Sequence, residues 1–527
     1  MSASATPSIR NVSSVFESST EFTSEERMMT KAAVSLHLPE VFVTSSALRR
    51  QISQWASKGR VRKIAPRLYT TNMTDQPAEI IQRNLWRVLA LLFPGGVISH
   101  RTALELRPTA DGTITLTTLH DRTVRLPGTT IRLVAGPGAL PGDQPFMDTL
   151  FRASDARTLL EVLRPTRQRT SIPAGLRRDE VEAWLERKLR TSGEDALNAI
   201  RDAARGLAPA LAAEKEANVL NGLIAALLGT NRAPLTAPAA IARSQGAPYD
   251  APRLDRFQVL LAALRNFPAP TQQISGPDDR AFANAAFIDA YFSNFIEGTE
   301  FEVDEARAIV FENKLPENRP QDAHDIMSTY RLHASRDVMG RGVATLAPTY
   351  AEFEALIKAR HRELMSQRPD MKPGEFKDAA NRAGDSHFVA PELVRGTLRQ
   401  GFGLLGALTE PFARAAYITF LLAEIHPFND GNGRLARVMM NAELVSAGEA
   451  RIIIPTVFRD DYLGGLRALT RQDRPEILLQ SLSRAHAFAA QLHYEDLDAT
   501  IGELAACHAF DASGESRLIL PSERHRG

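Results

Sequence analysis

Cysteine is almost absent: Cys507 is the only one in 527 residues, which excludes a disulfide framework and suits a reducing compartment. Long hydrophobic runs are missing too. The longest apolar-rich stretches, such as Val88 to Phe93 and Ile418 to Ile425, are too short to span a bilayer, and the start is rich in Ser and Thr rather than basic and then apolar. Neither a membrane span nor a secretory leader is expected, so the setting is read as cytoplasmic, with no membrane partner. Net charge favours neither sign: 63 Lys and Arg against 62 Asp and Glu leave +1, which removes any whole-chain electrostatic argument for nucleic acid. Metal-ligand spacing is lacking among His324, His333 and His361, which read as ordinary surface or core histidines.

What is present concentrates in His426-Pro427-Phe428-Asn429-Asp430-Gly431-Asn432-Gly433-Arg434-Leu435-Ala436-Arg437. Ala413 to Ile425 before it is apolar and rich in helix formers, and Leu435 to Val445 resumes helical periodicity, so the segment is predicted as a loop between two helices. Gly431 and Gly433 permit positive φ and close backbone approach, so successive N–H groups can turn toward an anion at the positive end of the second helix. Asp430 is a hard oxygen donor suited to Mg²⁺ beside phosphates, and Asn432 can hold a phosphate oxygen. Arg434 and Arg437, three apart, can clamp a polyphosphate. His426, at the end of the first helix, can accept a proton from an attacking hydroxyl, and Phe428 anchors the loop in the core. A calcium loop from Asp430 is excluded, because Leu435 and Asn441 stand where glycine and glutamate are needed.

The segment resembles the Fic family motif, H-x-F-x-D/E-G-N-G-R-x-x-R, at every specified position. That resemblance implies a compact helical domain and transfer of AMP from Mg-ATP to the Ser, Thr or Tyr hydroxyl of a target protein. His426 would be the general base, Asp430 the Mg²⁺ ligand, and Gly431, Asn432, Gly433, Arg434 and Arg437 the nucleotide-phosphate contacts. Glycine at 433 follows the AMP-transferring pattern rather than that of the kinase-like Doc branch, which carries lysine there.

Upstream, Ser293-Asn294-Phe295-Ile296-Glu297-Gly298 follows an apolar stretch from Ala283 to Phe292 that reads as a helix ending at Gly298. Ser293 and Glu297, four apart, share a face. The segment resembles the family's inhibitory motif, S/T-x-x-x-E-G/N, in the form placed N-terminal to the catalytic motif. By that resemblance Glu297 pairs with Arg437, takes the place of the γ-phosphate and holds the enzyme autoinhibited. In some family members the same glutamate helps to remove AMP, and the sequence leaves both tasks open. A target-docking flap is expected between Lys372 and Pro391, where a Pro/Gly-bounded surface loop is the competing description.

Near the start, Arg49, Arg50, Lys58, Arg60, Arg62, Lys63 and Arg67 form a basic patch without an acid. Thr44 or Ser45 can cap a helix holding Leu48, Ile52 and Trp55, Gly59 stops it, and Val61 to Tyr69 forms two short strands. This order resembles the winged helix of AbiEi-type antitoxins, as do the runs Ile98 to Leu104 and Ser154 to Leu160. The resemblance implies DNA binding, with the helix from Ser45 to Ser57 in the major groove and Arg49, Arg60, Arg62 and Lys63 as contacts. A solvated hairpin or a protein-docking face remains the alternative.

The expected architecture is multidomain and mainly α. It comprises a winged helix (1–75), a small α/β then helical region (76–230), an Ala/Pro-rich linker (231–253), an all-α Fic domain with a β-hairpin flap (254–505), and a loose tail (506–527). The leading functional expectation is an autoinhibited protein adenylyltransferase. Its alternative is a DNA-binding, antitoxin-like regulator whose Fic domain senses nucleotide. Homodimerisation is left open.

Overall fold

The computed structural model describes residues 38–44, 49–165, 175–268, 271–274, 276 and 278–526. Two compact units, Met1–Ala237 and Pro238–Gly527, divide the chain.

The first unit opens with three short antiparallel strands, β1 (Val41–Val43), β2 (Arg62–Ala65) and β3 (Leu68–Thr70), in the order β1-β3-β2, with the helix Arg49–Ser57 between β1 and β2 in the chain. Ile52 anchors that helix against Phe42 and Val61, and Gly59, at φ +65°, lets the chain leave it as expected. Ser45 and Leu48, part of the anticipated helix start, lie outside the described residues. A six-stranded mixed sheet follows, formed by β4 (Val97–Ile98), β5 (Thr113–Thr118), β6 (Arg122–Leu126), β7 (Thr129–Ala135), β8 (Gln144–Pro145) and β9 (Phe151–Arg152), in the order β6-β7-β5-β4-β9-β8. Period-two alternation buries Ile131 and Leu133 on β7, whereas β5 is covered on both faces, with Thr115 and Thr117 buried as well as Ile114 and Leu116. The helices Asp155–Leu163, Arg178–Leu211 and Glu214–Leu227 complete the unit.

The second unit is helical apart from a small hairpin, β10 (Arg382–Ala383) paired with β11 (Ser386–His387). At its centre the helices Pro411–Ile425 and Asn432–Val445 flank the loop that carries the motif. Tyr417, Phe420, Leu421 and Phe428 are fully buried there; each large apolar side chain so placed contributes on the order of 2 kcal/mol. The upstream helix spans Asp279–Ile296, and the Asp278 carboxylate caps it by accepting the Ala281 N–H at 2.7 Å.

Two expectations give way here. Residues 231–253 do not behave as a linker throughout: Pro238–Ser244 is a helix, and the Pro248 carbonyl lies so close to Gly396 that a Cβ there would sit 2.0 Å from it. Asp250 also takes the Thr397 hydroxyl oxygen as acceptor for its N–H at 3.0 Å. Small Ala side chains thus serve close packing rather than freedom. The segment after 506 is likewise not loose, since Cys507, Ala509 and Leu518 are buried and Phe510 stacks on Phe292 at 5.4 Å.

Candidate active site

The site is built at the junction of the two central helices. The helix Pro411–Ile425 ends on His426, which adopts a left-handed φ of +54° and returns its N–H to the Leu422 carbonyl at 3.0 Å. A non-glycine residue in that region costs of order 1 kcal/mol, and the packing around it must supply the difference. Phe388 stacks on the imidazole at 3.8 Å and 8°. The Nδ1 atom lies 3.1 Å from the Ala423 carbonyl, which can only accept, so Nδ1 carries the proton and Nε2 keeps its lone pair. Burial pushes the imidazole down to about 4, against a smaller upward pull from that carbonyl, so the ring is neutral at pH 7.

Phe428 fixes the loop between two rings, His361 at 3.8 Å and Phe376 at 5.5 Å. His361 accepts the Gly374 N–H on Nδ1 at 2.9 Å and donates from Nε2 to the Asp430 carbonyl at 2.9 Å. Burial likewise holds it down to about 4. Of the surface and core alternatives the sequence leaves open, it takes the core one, and it braces the motif loop. Asp430 itself keeps its side chain 48% exposed at the start of the phosphate-facing turn.

Two motif residues act differently from expectation. Asn432 is expected to hold a phosphate oxygen, but its amide closes the loop on itself: Oδ1 accepts the Phe428 N–H and Nδ2 donates to the Phe428 carbonyl, both at 2.9 Å. Being 2% exposed, it is a brace first. Gly433 is not in the positive-φ region, which only Gly431, at +73°, occupies among the two glycines. Gly433 leaves room for the Glu297 carboxylate, which a Cβ there, 2.1 Å from Oε1, would displace.

The two arginines lie on the first turns of the helix Asn432–Val445, where the unsatisfied N–H groups and the dipole favour an anion. Arg434 pairs with Asp325 at 2.9 Å and approaches Asp430 at 3.7 Å. Arg437 donates to Glu297 Oε1 at 2.6 Å, to the Ser293 carbonyl at 2.7 Å and to the Ser293 hydroxyl at 2.9 Å. Burial alone would lower this guanidinium, but Glu297 and Tyr462 outweigh it and hold it above its ordinary value. Gly298, at φ +88°, releases the chain after Glu297. The geometry therefore brings together His426, Asp430, Gly431, Asn432, Gly433, Arg434, Arg437, Ser293 and Glu297. Asp325 and His361 join them without a sequence signal, each standing among other polar and charged residues of its helix.

The basic residues of the first unit form a separate group. Arg49, Arg60 and Lys63 are exposed. Arg62 does not stand free for a phosphate: its Nε donates to the Asn72 carbonyl at 2.9 Å and its Nη2 to the Asp75 carbonyl, which fixes the base of the hairpin.

A family model described as Fic/DOC family matches residues 352–444. A Fido domain-containing protein of Dictyostelium discoideum is 31% identical over 124 residues, covering 22% of this chain and 87% of the relative. This chain belongs to the Fic/Doc family. A protein adenylyltransferase Fic of Nematostella vectensis is 27% identical over 237 residues, 43% of this chain and 53% of the relative. One of Drosophila persimilis is 28% identical over 209 residues, and the chain spans 38% of that relative's length against 37% of its own. Among solved structures, a Fic domain-containing signaling protein of Bacteroides thetaiotaomicron is 18% identical, with a TM-score of 0.34, over 47% of this chain and 97% of that one. The Fic match falls wholly within the second unit and includes the loop, the flap hairpin and both arginines.

Proposed function

We propose that this Fic protein is a self-restrained protein adenylyltransferase that moves AMP from Mg-ATP to a hydroxyl side chain of a target protein. The observation that carries the reading is the pairing of a neutral His426, its Nε2 lone pair unused by the Ala423 contact, with a phosphate-binding arginine already held by Glu297 at 2.6 Å. In the transfer, the target hydroxyl oxygen bonds to the α-phosphorus, its proton passes to His426 Nε2, and the bond from the α-phosphorus to the bridging oxygen breaks as pyrophosphate leaves. Gly431 and the first turn of the following helix hold phosphate oxygens, and Arg434 adds a fixed positive charge.

Asp430 fits Mg²⁺. One exposed carboxylate beside a phosphate cradle is what this ion uses, since it keeps waters and takes substrate oxygens for the rest. When bound, the ion would neutralise charge on the phosphates.

Glu297 supplies the restraint through Arg437. With a carboxylate in the place of the terminal phosphate, nucleotide is kept from the pose in which its α-phosphorus meets the hydroxyl. Labelling with ATP radioactive at the α-phosphate tests the whole reading. Glu297→Gly is expected to raise incorporation by roughly 10-fold or more, and His426→Ala in that background to lower it by about 100-fold or more. Equal labelling of wild type and Glu297→Gly would remove the restraint from the account; unchanged labelling in His426→Ala would remove the base.

A further inference from the structure

Lys377 has no part in the scheme above, yet it is placed unlike an ordinary surface lysine. It is 3% exposed and lies in the segment that leads into the flap hairpin. Its N–H donates to the Pro427 carbonyl at 2.9 Å, and its Nζ donates to Asn381 Oδ1 at 2.6 Å and reaches the Ile425 carbonyl at 3.4 Å. Asn381 in turn donates from Nδ2 to the Phe428 carbonyl at 3.0 Å. Carbonyls before and after His426 are thus held from one short stretch of chain. The same stretch supplies Phe388, whose N–H donates to the Asn381 carbonyl at 3.3 Å and whose ring lies on the imidazole.

A buried ammonium is expensive to desolvate, and an apolar side chain of the same length would pack at lower cost. Its retention beside a histidine that must stay neutral calls for an electrostatic reason. Burial, followed by the charge of Arg253, brings Lys377 down to about 7, so the cation is present throughout the acidic range in which an imidazole titrates. Arg253, whose charge reaches Lys377, pairs with Glu424, as does Arg256, while Glu297 and Asp430 both favour the protonated imidazole. Lys377 is the cation that opposes those two acids.

We propose that Lys377, braced by Asn381, is a positioning residue that ties the flap segment to the catalytic loop and adds a positive charge that opposes protonation of His426. This rests on His426 acting as the base. One stretch of chain then both borders the flap and biases the state of the proton acceptor.

The test uses full-length Glu297→Gly protein carrying ¹³C-labelled histidine, with the His426 signal assigned by its loss in His426→Ala. In Lys377→Met the His426 titration midpoint is expected to rise by at least about half a pH unit, and the acid limb of AMP labelling to rise with it. Lys377→Arg, which keeps the charge, restores the midpoint. Asn381→Ala, which keeps Lys377, lowers labelling at every pH without moving the midpoint. If a folded Lys377→Met keeps the parent's midpoint, the inference is overturned; should that variant not fold, Lys377→Gln supplies the same reading. Failure of the Glu297→Gly parent to label would instead count against the adenylyltransferase reading, whatever the midpoint does.

Discussion

The two arginines of the phosphate cradle sit one helical turn apart and are equally hidden, with side chains 4% and 3% exposed, but their carboxylate partners differ in kind. Asp325, opposite Arg434, has a side chain only 4% exposed and is shared with Arg368 at 2.6 Å. Glu297, opposite Arg437, is 34% exposed and stands at the C-terminal cap of its helix, just before a positive-φ glycine. A carboxylate sealed between two guanidiniums is part of the architecture. One at a helix terminus with water on one side can leave at modest cost. On the proposed reading, one end of the arginine pair is structural and the other is held by a replaceable carboxylate.

The sharpest way to break this comparison is to remove each acid in turn. Asp325→Ala leaves the buried Arg434 guanidinium without its close carboxylate, while Arg368 keeps Asp322, and is expected to cost about 3–5 kcal/mol of stability, read by chemical denaturation, with no gain in labelling. Glu297→Gln, which leaves Arg437 an amide oxygen and the Ser293 carbonyl and hydroxyl as acceptors, is expected to cost only about 1 kcal/mol of stability while raising labelling. Equal stability losses in the two variants would end the distinction.

His361, His426 and His486 are each held by burial at about 4 rather than near 6.5, so the unfolded chain binds more protons than the folded one between those values. Stability contributed by these neutral rings is complete above about 6.5 and is lost as pH falls toward 4. Thermal melts from pH 7 to 4.5 should show that decline, and His361→Asn should flatten part of it. A flat profile would contradict the buried neutral state.

The smallest expected effect concerns Ser293. Its hydroxyl accepts from Arg437 Nε at 2.9 Å, a charge-assisted bond that steadies the guanidinium for Glu297. Ser293→Ala should weaken the restraint by about 1 kcal/mol and raise labelling by roughly 3- to 5-fold, less than Glu297→Gly does. A larger rise than in Glu297→Gly would place the restraint on the serine instead.

In the first unit, the helix, glycine stop and hairpin emerge from local signals, and Ile52 marks the buried face as its spacing suggests. Exposed Lys63 and Arg49 keep the nucleic-acid reading testable by salt-dependent gel shift, whereas Arg62 is withdrawn because its guanidinium braces Asn72 and Asp75. Composition misled at residues 231–253, where Ala and Pro suggest a linker. Small side chains also permit the closest packing, and only the proximity of Gly396 shows which use is made of them.

By itself, the sequence determined the motif loop, its two flanking helices and the shared face of Ser293 and Glu297, because these depend on short-range periodicity, turn chemistry and residue type. Tertiary structure alone decided which carboxylate meets which arginine, that Asn432 closes its own loop, and that Gly433 makes room for Glu297 rather than supplying a turn. It also recruited Asp325, His361 and Lys377, whose neighbours are distant in the chain. The physical reason is that burial and charge pairing are properties of a three-dimensional environment. Linear spacing does not encode which polar group becomes enclosed beside which partner.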